Sequence, residues 1–198
     1  MTIGQRLLNR AALLLGLLLA TQIQAETSTW TLAQLMLQLS EVEHRETRFS
    51  ETRELSLLNH ALESQGTLSF SAPNSLNKQF DPPDGLGYGI EGSRLTIRKS
   101  DGSMETLLLD HSPQLLAYIA SLRAVLAGDL PALSVYFETR LKGSPNNWHL
   151  TLLPRESALS QQVSQIEVTG QQADIRQFVV TEQSGDRIIT QLHTPREN

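Results

Sequence analysis

The residues able to do chemistry in this 198-residue chain are scattered, and their spacing fits no catalytic or metal-binding pattern. The histidines are His44, His60, His111, His149 and His193. No two stand four apart and no HExxH occurs, so no helix face can present two zinc ligands. Cysteine is absent, which excludes disulfides, thiolate nucleophiles, Cys-containing zinc sites and a lipidated N-terminal Cys. Gly85-Leu86-Gly87-Tyr88-Gly89 is glycine-rich. It does not end in GK[ST] and leads into a strand pattern, so no helix N-terminus waits there for a phosphate. Ser93 and Ser144 follow glycines, but neither lies in G-x-S-x-G. Asp81, Asp84, Asp101 and Asp186 all stand beside Gly or Pro, where turns use Asp; a catalytic pair among them is the alternative. A hydrolase would need a clustered acid–base set that these residues do not assemble. No enzymatic activity, metal or cofactor is expected.

The bulk composition narrows the classes further. Hydrophobic residues make up 39% of the chain, aromatics 5% and charged residues 19%. These values exclude a disordered chain, a collagen-like repeat and a multi-span membrane protein. Sixteen basic against 21 acidic residues give a formal net charge of −5. Nucleic acid is not an expected partner, because backbone neutralisation needs clustered Lys and Arg. Arg6 and Arg10 precede the apolar run Ala11 to Ala20, and a short polar stretch then ends on Ala25. This is the layout of a secretory leader cleaved after Ala25, with a core run about half the ~20 residues of a spanning helix. The expected mature chain is one domain over 26–198, with 14 basic and 21 acidic residues.

The elements that must position any site follow from periodicity. Trp30 to about His44 reads as a helix, with Leu32, Leu35, Met36, Leu39 and Val42 on one stripe and Thr29 or Thr31 as its cap. From Phe49 the period becomes two. Phe49, Leu55 and Leu57 share a face, as do Leu68, Phe70 and Ala72, then Leu76 and Phe80. Asp81-Pro82-Pro83-Asp84-Gly85, Glu91-Gly92-Ser93 and Ser100-Asp101-Gly102 are turn signals. Ser112-Pro113 opens a second helix whose stripe runs from Leu115 to Leu126, and Gly128 suits a left-handed C-cap. The rest returns to strands, about ten in all. The pattern predicts one large, strongly curved antiparallel sheet with helices on one side, a mainly β fold of the α+β class. Its apolar face, poor in aromatics, can be a filled core or an open aliphatic cavity.

Four stretches resemble the LolA family of periplasmic carriers of outer-membrane lipoproteins. Phe49-Ser50-Glu51 resembles the family's F-x-Q. Gly66 to Asn74 (GTLSFSAPN) resembles G-x-L-x-[VF]-x-x-P-N. Glu91 to Leu95 resembles D-G-x-x-L, and Ile175 to Gln183 resembles I-x-x-F-x-x-x-E-Q. Ala127 to Leu130, Trp148 and Leu150 to Pro154 look most like a LolA-related subgroup often associated with glycolipid or aryl-polyene export. The resemblance implies an incomplete antiparallel barrel with a helical lid over an acyl-chain cavity. It implies a lipoprotein or other lipid as cargo, an inner-membrane exporter as donor and an outer-membrane acceptor; a monomer is expected. Where the family has an Arg that latches the lid, just before the Pro, this chain has Ala72. The family also continues beyond its last shared strand, whereas this chain ends soon after His193. Both departures widen the expected cargo to lipids other than lipoproteins.

Face assignment names the expected cavity lining. From the sheet it takes Leu55, Leu68, Phe70, Phe80, Leu95, Ile97, Leu107 and Leu109, then Trp148, Leu150 and Ile166. From the lid helix it takes Leu116, Ile119 and Leu126. Alternation also puts Glu51 and Arg53 on the face of Phe49, where they could meet the lid or a cargo head group. The alternative function is a non-enzymatic binding or scaffold module of a lipid-export system, with a filled core and a partner at a sheet edge.

Overall fold

Eleven strands form one antiparallel sheet among the residues that the computed structural model describes, 30–109 and 113–193. The expected leader at 1–25, His111 and the expected cap Ser112 lie outside the described residues. The first six strands are β1 (His44–Glu54), β2 (Leu62–Ser71), β3 (Ser75–Phe80), β4 (Gly87–Glu91), β5 (Arg94–Arg98) and β6 (Met104–Leu108). The last five are β7 (Phe137–Ser144), β8 (Asn147–Pro154), β9 (Val163–Gln171), β10 (Asp174–Glu182) and β11 (Arg187–His193). The order across the sheet is β6-β5-β4-β3-β2-β1-β11-β10-β9-β8-β7. Two hairpin meanders are thus joined where β1 pairs with β11, in the register Phe49↔Leu192 and Glu51↔Thr190. The outer strands β6 and β7 do not pair with each other, so the sheet is an incomplete barrel.

Four helices accompany the sheet among the described residues. α1 (Leu32–Ser40) starts at Thr31, which exchanges hydrogen bonds with Gln34 in a capping box: Gln34 N to Thr31 Oγ1 is 3.3 Å and Thr31 N to Gln34 Oε1 is 2.9 Å. Its stripe of Leu35, Met36 and Leu39 is buried. The helix is shorter than its periodicity predicts. Val42 lies past its end, and β1 begins at His44 rather than near Phe49. The polar run His44-Arg45-Glu46-Thr47-Arg48 is strand because it pairs residue by residue with β2, from His44↔Ser71 to Arg48↔Thr67. Ladder pairing there overrides a weak local preference.

α2 (Pro113–Leu126) and α3 (Leu130–Tyr136) carry the chain from edge β6 to edge β7. Gly128 ends α2 with φ +65°, as its place in the sequence predicts. A Cβ at that position would come within 2.1 Å of the Met36 carbonyl oxygen, so the same glycine lets α1 approach. Asp129 then caps α3, its side chain accepting from Ala132 N at 3.0 Å. The fourth helix, α4 (Ser157–Ser160), is a single turn between β8 and β9.

Candidate functional site

The concave face of the sheet is filled at one place and hollow at another. Trp148 and Gly170 are cross-strand partners on β8 and β9. A Cβ on Gly170 would lie 2.3 Å from the Trp148 ring, so the missing side chain makes room for the indole. The indole Nε1–H donates to the Gln172 carbonyl at 2.9 Å. Leu150, Leu133 and Phe137 pack into the same buried core. On the same strands, Leu152, Ile166 and Val168, with Phe178 and Val180 of β10, face an unfilled space of about 690 Å³. This volume is within the range of small-molecule sites, roughly 300–1,000 Å³.

The walls of that space come from both meanders and from the helices. Leu68, Leu76, Tyr88, Ile90 and Leu95 line it from β2 to β5. Ile119, Leu122 and Val125 of α2 cover it, and Leu159 of α4 closes a corner. Gln161, Gln162, Glu182, Gln183 and Ser184 bring polar groups to the lining. Two bonds from Gln183 tie this region together: its N–H donates to the Gln162 carbonyl at 2.9 Å and its Nε2 to the Ser160 carbonyl at 2.7 Å.

A charged group stands inside this largely aliphatic wall. Glu51, Arg53, Lys78 and Thr190 all line the cavity. The Glu51 side chain is 1% exposed. Its Oε1 accepts from Arg53 Nε at 2.9 Å, and its Oε2 accepts from Thr190 Oγ1 at 3.0 Å and from Lys78 Nζ. The Lys78 ammonium also sits over the rings of Phe49 and Phe80, 4.7 and 5.0 Å from their centroids. Gly66 has a direct part here, because a Cβ on it would meet the Phe49 ring at 2.9 Å. Burial alone would raise the Glu51 carboxyl; the Lys78 charge and the hydrogen bonds from Lys78 and Arg53 outweigh it and hold the carboxyl below its usual value. Burial pushes the Lys78 ammonium down, more than its bond to Glu51 pushes it up.

The expected lining residues separate into groups. Leu68, Leu95, Ile119 and Ile166 stand on the cavity wall, with Glu51 and Arg53. Phe70, Phe80, Leu109, Leu126, Trp148 and Leu150 are buried in the packed core and do not line it. Ile97 packs against that core half-buried. Leu55 lies beyond the end of β1, so the alternation that paired it with Phe49 stops at Glu54. Leu107 faces the same side as its partner Leu95 but stands on the edge strand and is 40% exposed. The side chain of Leu116 lies outside the described residues. Lys78 was legible in principle: it is in phase with Leu76 and Phe80 on the inward face of β3.

The lid position also has a partner that spacing did not reveal. Ala72 occupies the place of the expected latch, and an arginine acts from the opposite side. Arg123 on α2 donates from Nη1 to the Gly92 carbonyl at 2.7 Å and to the Asn74 carbonyl at 3.2 Å. These carbonyls sit in the β4–β5 and β2–β3 turns, so the helix is tied to two hairpins.

Several of the candidate catalytic groups have structural partners. Asp101 accepts from Ser103 N at 2.8 Å and Asp186 from Ser56 N at 2.7 Å, both as loop fasteners. His149 pairs with Glu167 and His193 with the Ser50 hydroxyl. Among the described residues no three His, Asp or Glu side chains gather where they could hold a metal ion.

The family model described as "Outer membrane lipoprotein carrier protein LolA-like" matches residues 24–195. The chain belongs to the LolA-like family. Solved structures similar to this LolA-like chain include a DUF1329 family protein from Desulfovibrio piger, 11% identical, with a TM-score of 0.48 over 82% of this chain and 89% of that one. A LolA superfamily protein from Nitrosomonas europaea is 7% identical, with a TM-score of 0.46 over 83% and 92%. An outer membrane lipoprotein-sorting protein domain from Vibrio parahaemolyticus is 8% identical, with a TM-score of 0.47 over 82% and 89%. A comparison with curated proteins found no match.

Proposed function

We propose that this LolA-like protein is a periplasmic carrier that shields an acyl chain of a lipoprotein or other lipid between the inner and outer membranes. The observation that carries this reading is the cavity of about 690 Å³, walled mainly by Leu, Ile and Val and covered by α2. Each methylene moved from water into such a space is worth about 0.8 kcal/mol. A chain of a dozen carbons is thus held firmly, and release calls for a change in the cover. The leader at 1–25 would deliver the single domain to the periplasm, and an inner-membrane exporter and an outer-membrane acceptor would stand at the two ends of the path. The subgroup resemblance directs the search for cargo toward glycolipid and aryl-polyene lipids. The test is native mass spectrometry of the protein taken from its own periplasm, with lipid extraction of the same sample. A stoichiometric lipid is expected, and its mass names the cargo class. An empty protein that also fails to take up a fluorescent fatty acid would sink the reading.

A second reading has one observation in its favour. Met104, Leu107 and Leu108 are exposed along β6, whose outer edge pairs with no strand among the described residues. A binding module of a lipid-export system could add a partner strand there.

A further inference from the structure

The Glu51 group has more donors than its carboxylate uses. Lys78 is spent: it bonds Glu51 and lies against two aromatic rings. Arg53 is not. Its Nε bonds Glu51, and among the described residues neither of its terminal nitrogens has a hydrogen-bond or ion-pair partner. The Arg53 side chain is 42% exposed, against 22% for Lys78 and 1% for Glu51, so the group runs from a buried carboxylate outward to a half-exposed guanidinium. Two cations around one carboxylate leave this cluster one positive charge in excess, which Glu182 balances only over the cavity lining as a whole. Glu182 also lines the cavity, but its carboxylate accepts from the Ser184 hydroxyl at 3.5 Å, and among the described residues no ion pair joins it to Arg53. A planar fork of free N–H groups held in place by its own Nε is suited to two oxygens of one anion.

We propose that the cavity selects amphiphiles with an anionic head, a carboxylate or a phosphate, and that Arg53 receives that head while the chain occupies the aliphatic wall. This inference rests on the carrier reading and names the class of its cargo. Glu51 is a positioning residue: its Oε1 holds the Arg53 side chain by its Nε, while its Oε2 is held by Lys78 and Thr190.

The experiment compares heads on one chain length. Protein purified after expression of the full-length chain is titrated calorimetrically with dodecanoate, dodecyl phosphate, dodecanol and dodecyltrimethylammonium, each below its micellar concentration. The anionic pair is expected to bind at least about tenfold more tightly than dodecanol, equivalent to about 1.4 kcal/mol. The better of the two anions tells a fatty-acid-type cargo from a phosphate-headed one. Arg53→Gln is expected to bring the anion-to-alcohol ratio close to one, Arg53→Lys to restore part of it, and Arg53→Glu to turn the preference toward the ammonium. A purely structural part for Arg53 would not invert selectivity. Equal binding of all four heads, or a ratio that Arg53→Gln leaves unchanged, overturns the anion inference while the carrier reading stands. A preference of the unaltered protein for the ammonium overturns it too, and assigns the head to Glu182 or Glu51. Failure of all four to bind overturns both.

Discussion

The two stretches of the concave face on β8 and β9 carry the same alternation and end in opposite states. Trp148 and Leu150 are packed solid, with Gly170 making room for the indole. Leu152, Ile166 and Val168 are just as buried, yet they face open space. Period-two hydrophobicity reports which way a side chain points. Whether it meets another side chain depends on volumes contributed by distant strands and helices, which no local window contains. The difference is sharpest at residues of the largest volume. Trp148→Ala is expected to cost about 3–5 kcal/mol, read as a lower urea midpoint at unchanged slope. A small loss would mean that the indole end is loosely packed and the contrast is false.

The same comparison explains what was legible. Turn chemistry was readable because it is local: Gly128 takes its left-handed conformation where the helix stripe ends, and the Gly92 and Gly102 turns fall where the signals stand. The curved sheet followed from the strand count and the short connections. The start of β1 was not readable, since His44 to Arg48 is polar and becomes strand only by pairing with β2. The expected lining was half core for the reason given above. The charged group was half visible. Glu51 and Arg53 share an inward face by alternation, whereas Lys78 joins them from β3 through a tertiary contact.

A matched pair on one strand breaks the comparison more finely. Leu150 and Leu152 are 0% and 1% exposed and differ in whether they border the cavity. Leu150→Ala leaves a new void and is expected to cost about 4 kcal/mol; Leu152→Ala enlarges an existing one, loses fewer contacts and is expected to cost about 2. The second variant should also favour bulkier chains in a binding series. Equal costs from two denaturation curves would show that the space closes around Leu152 in solution.

The hollow region contains a titrating group that the packed region lacks. Glu51 lies below its ordinary carboxyl value in the folded chain, so the unfolded chain binds more protons as pH falls. Its contribution is therefore present above the unfolded value of about 4.3 and is lost as pH drops through the lowered folded value. Glu51→Gln removes this term and leaves Lys78 without its carboxylate. It is expected to lower stability at pH 7 and to make the fall in stability on acidification below the unfolded carboxyl value shallower. Parallel pH profiles for the two proteins would show that the buried carboxylate does not titrate with folding.

The smallest expected effect on stability concerns the cover, and it separates packing from access. Arg123 ties α2 to the Gly92 and Asn74 carbonyls, and burial lowers its guanidinium from the ordinary value. An arginine side chain is basic enough to act as a fixed cation in a protein. Arg123→Ala removes two hydrogen bonds from a charged donor and is expected to cost only about 1–2 kcal/mol overall. The cost should be local. α2 lies over the cavity, whereas β8 is hydrogen-bonded on both sides, to β7 and β9, so hydrogen exchange should speed up in α2 and remain slow at Trp148 and Leu150. A bound chain should leave faster, because release requires the helix to lift and the variant has less to break. Slowed or unchanged release with uniform exchange across both regions would place the exit somewhere other than beneath α2.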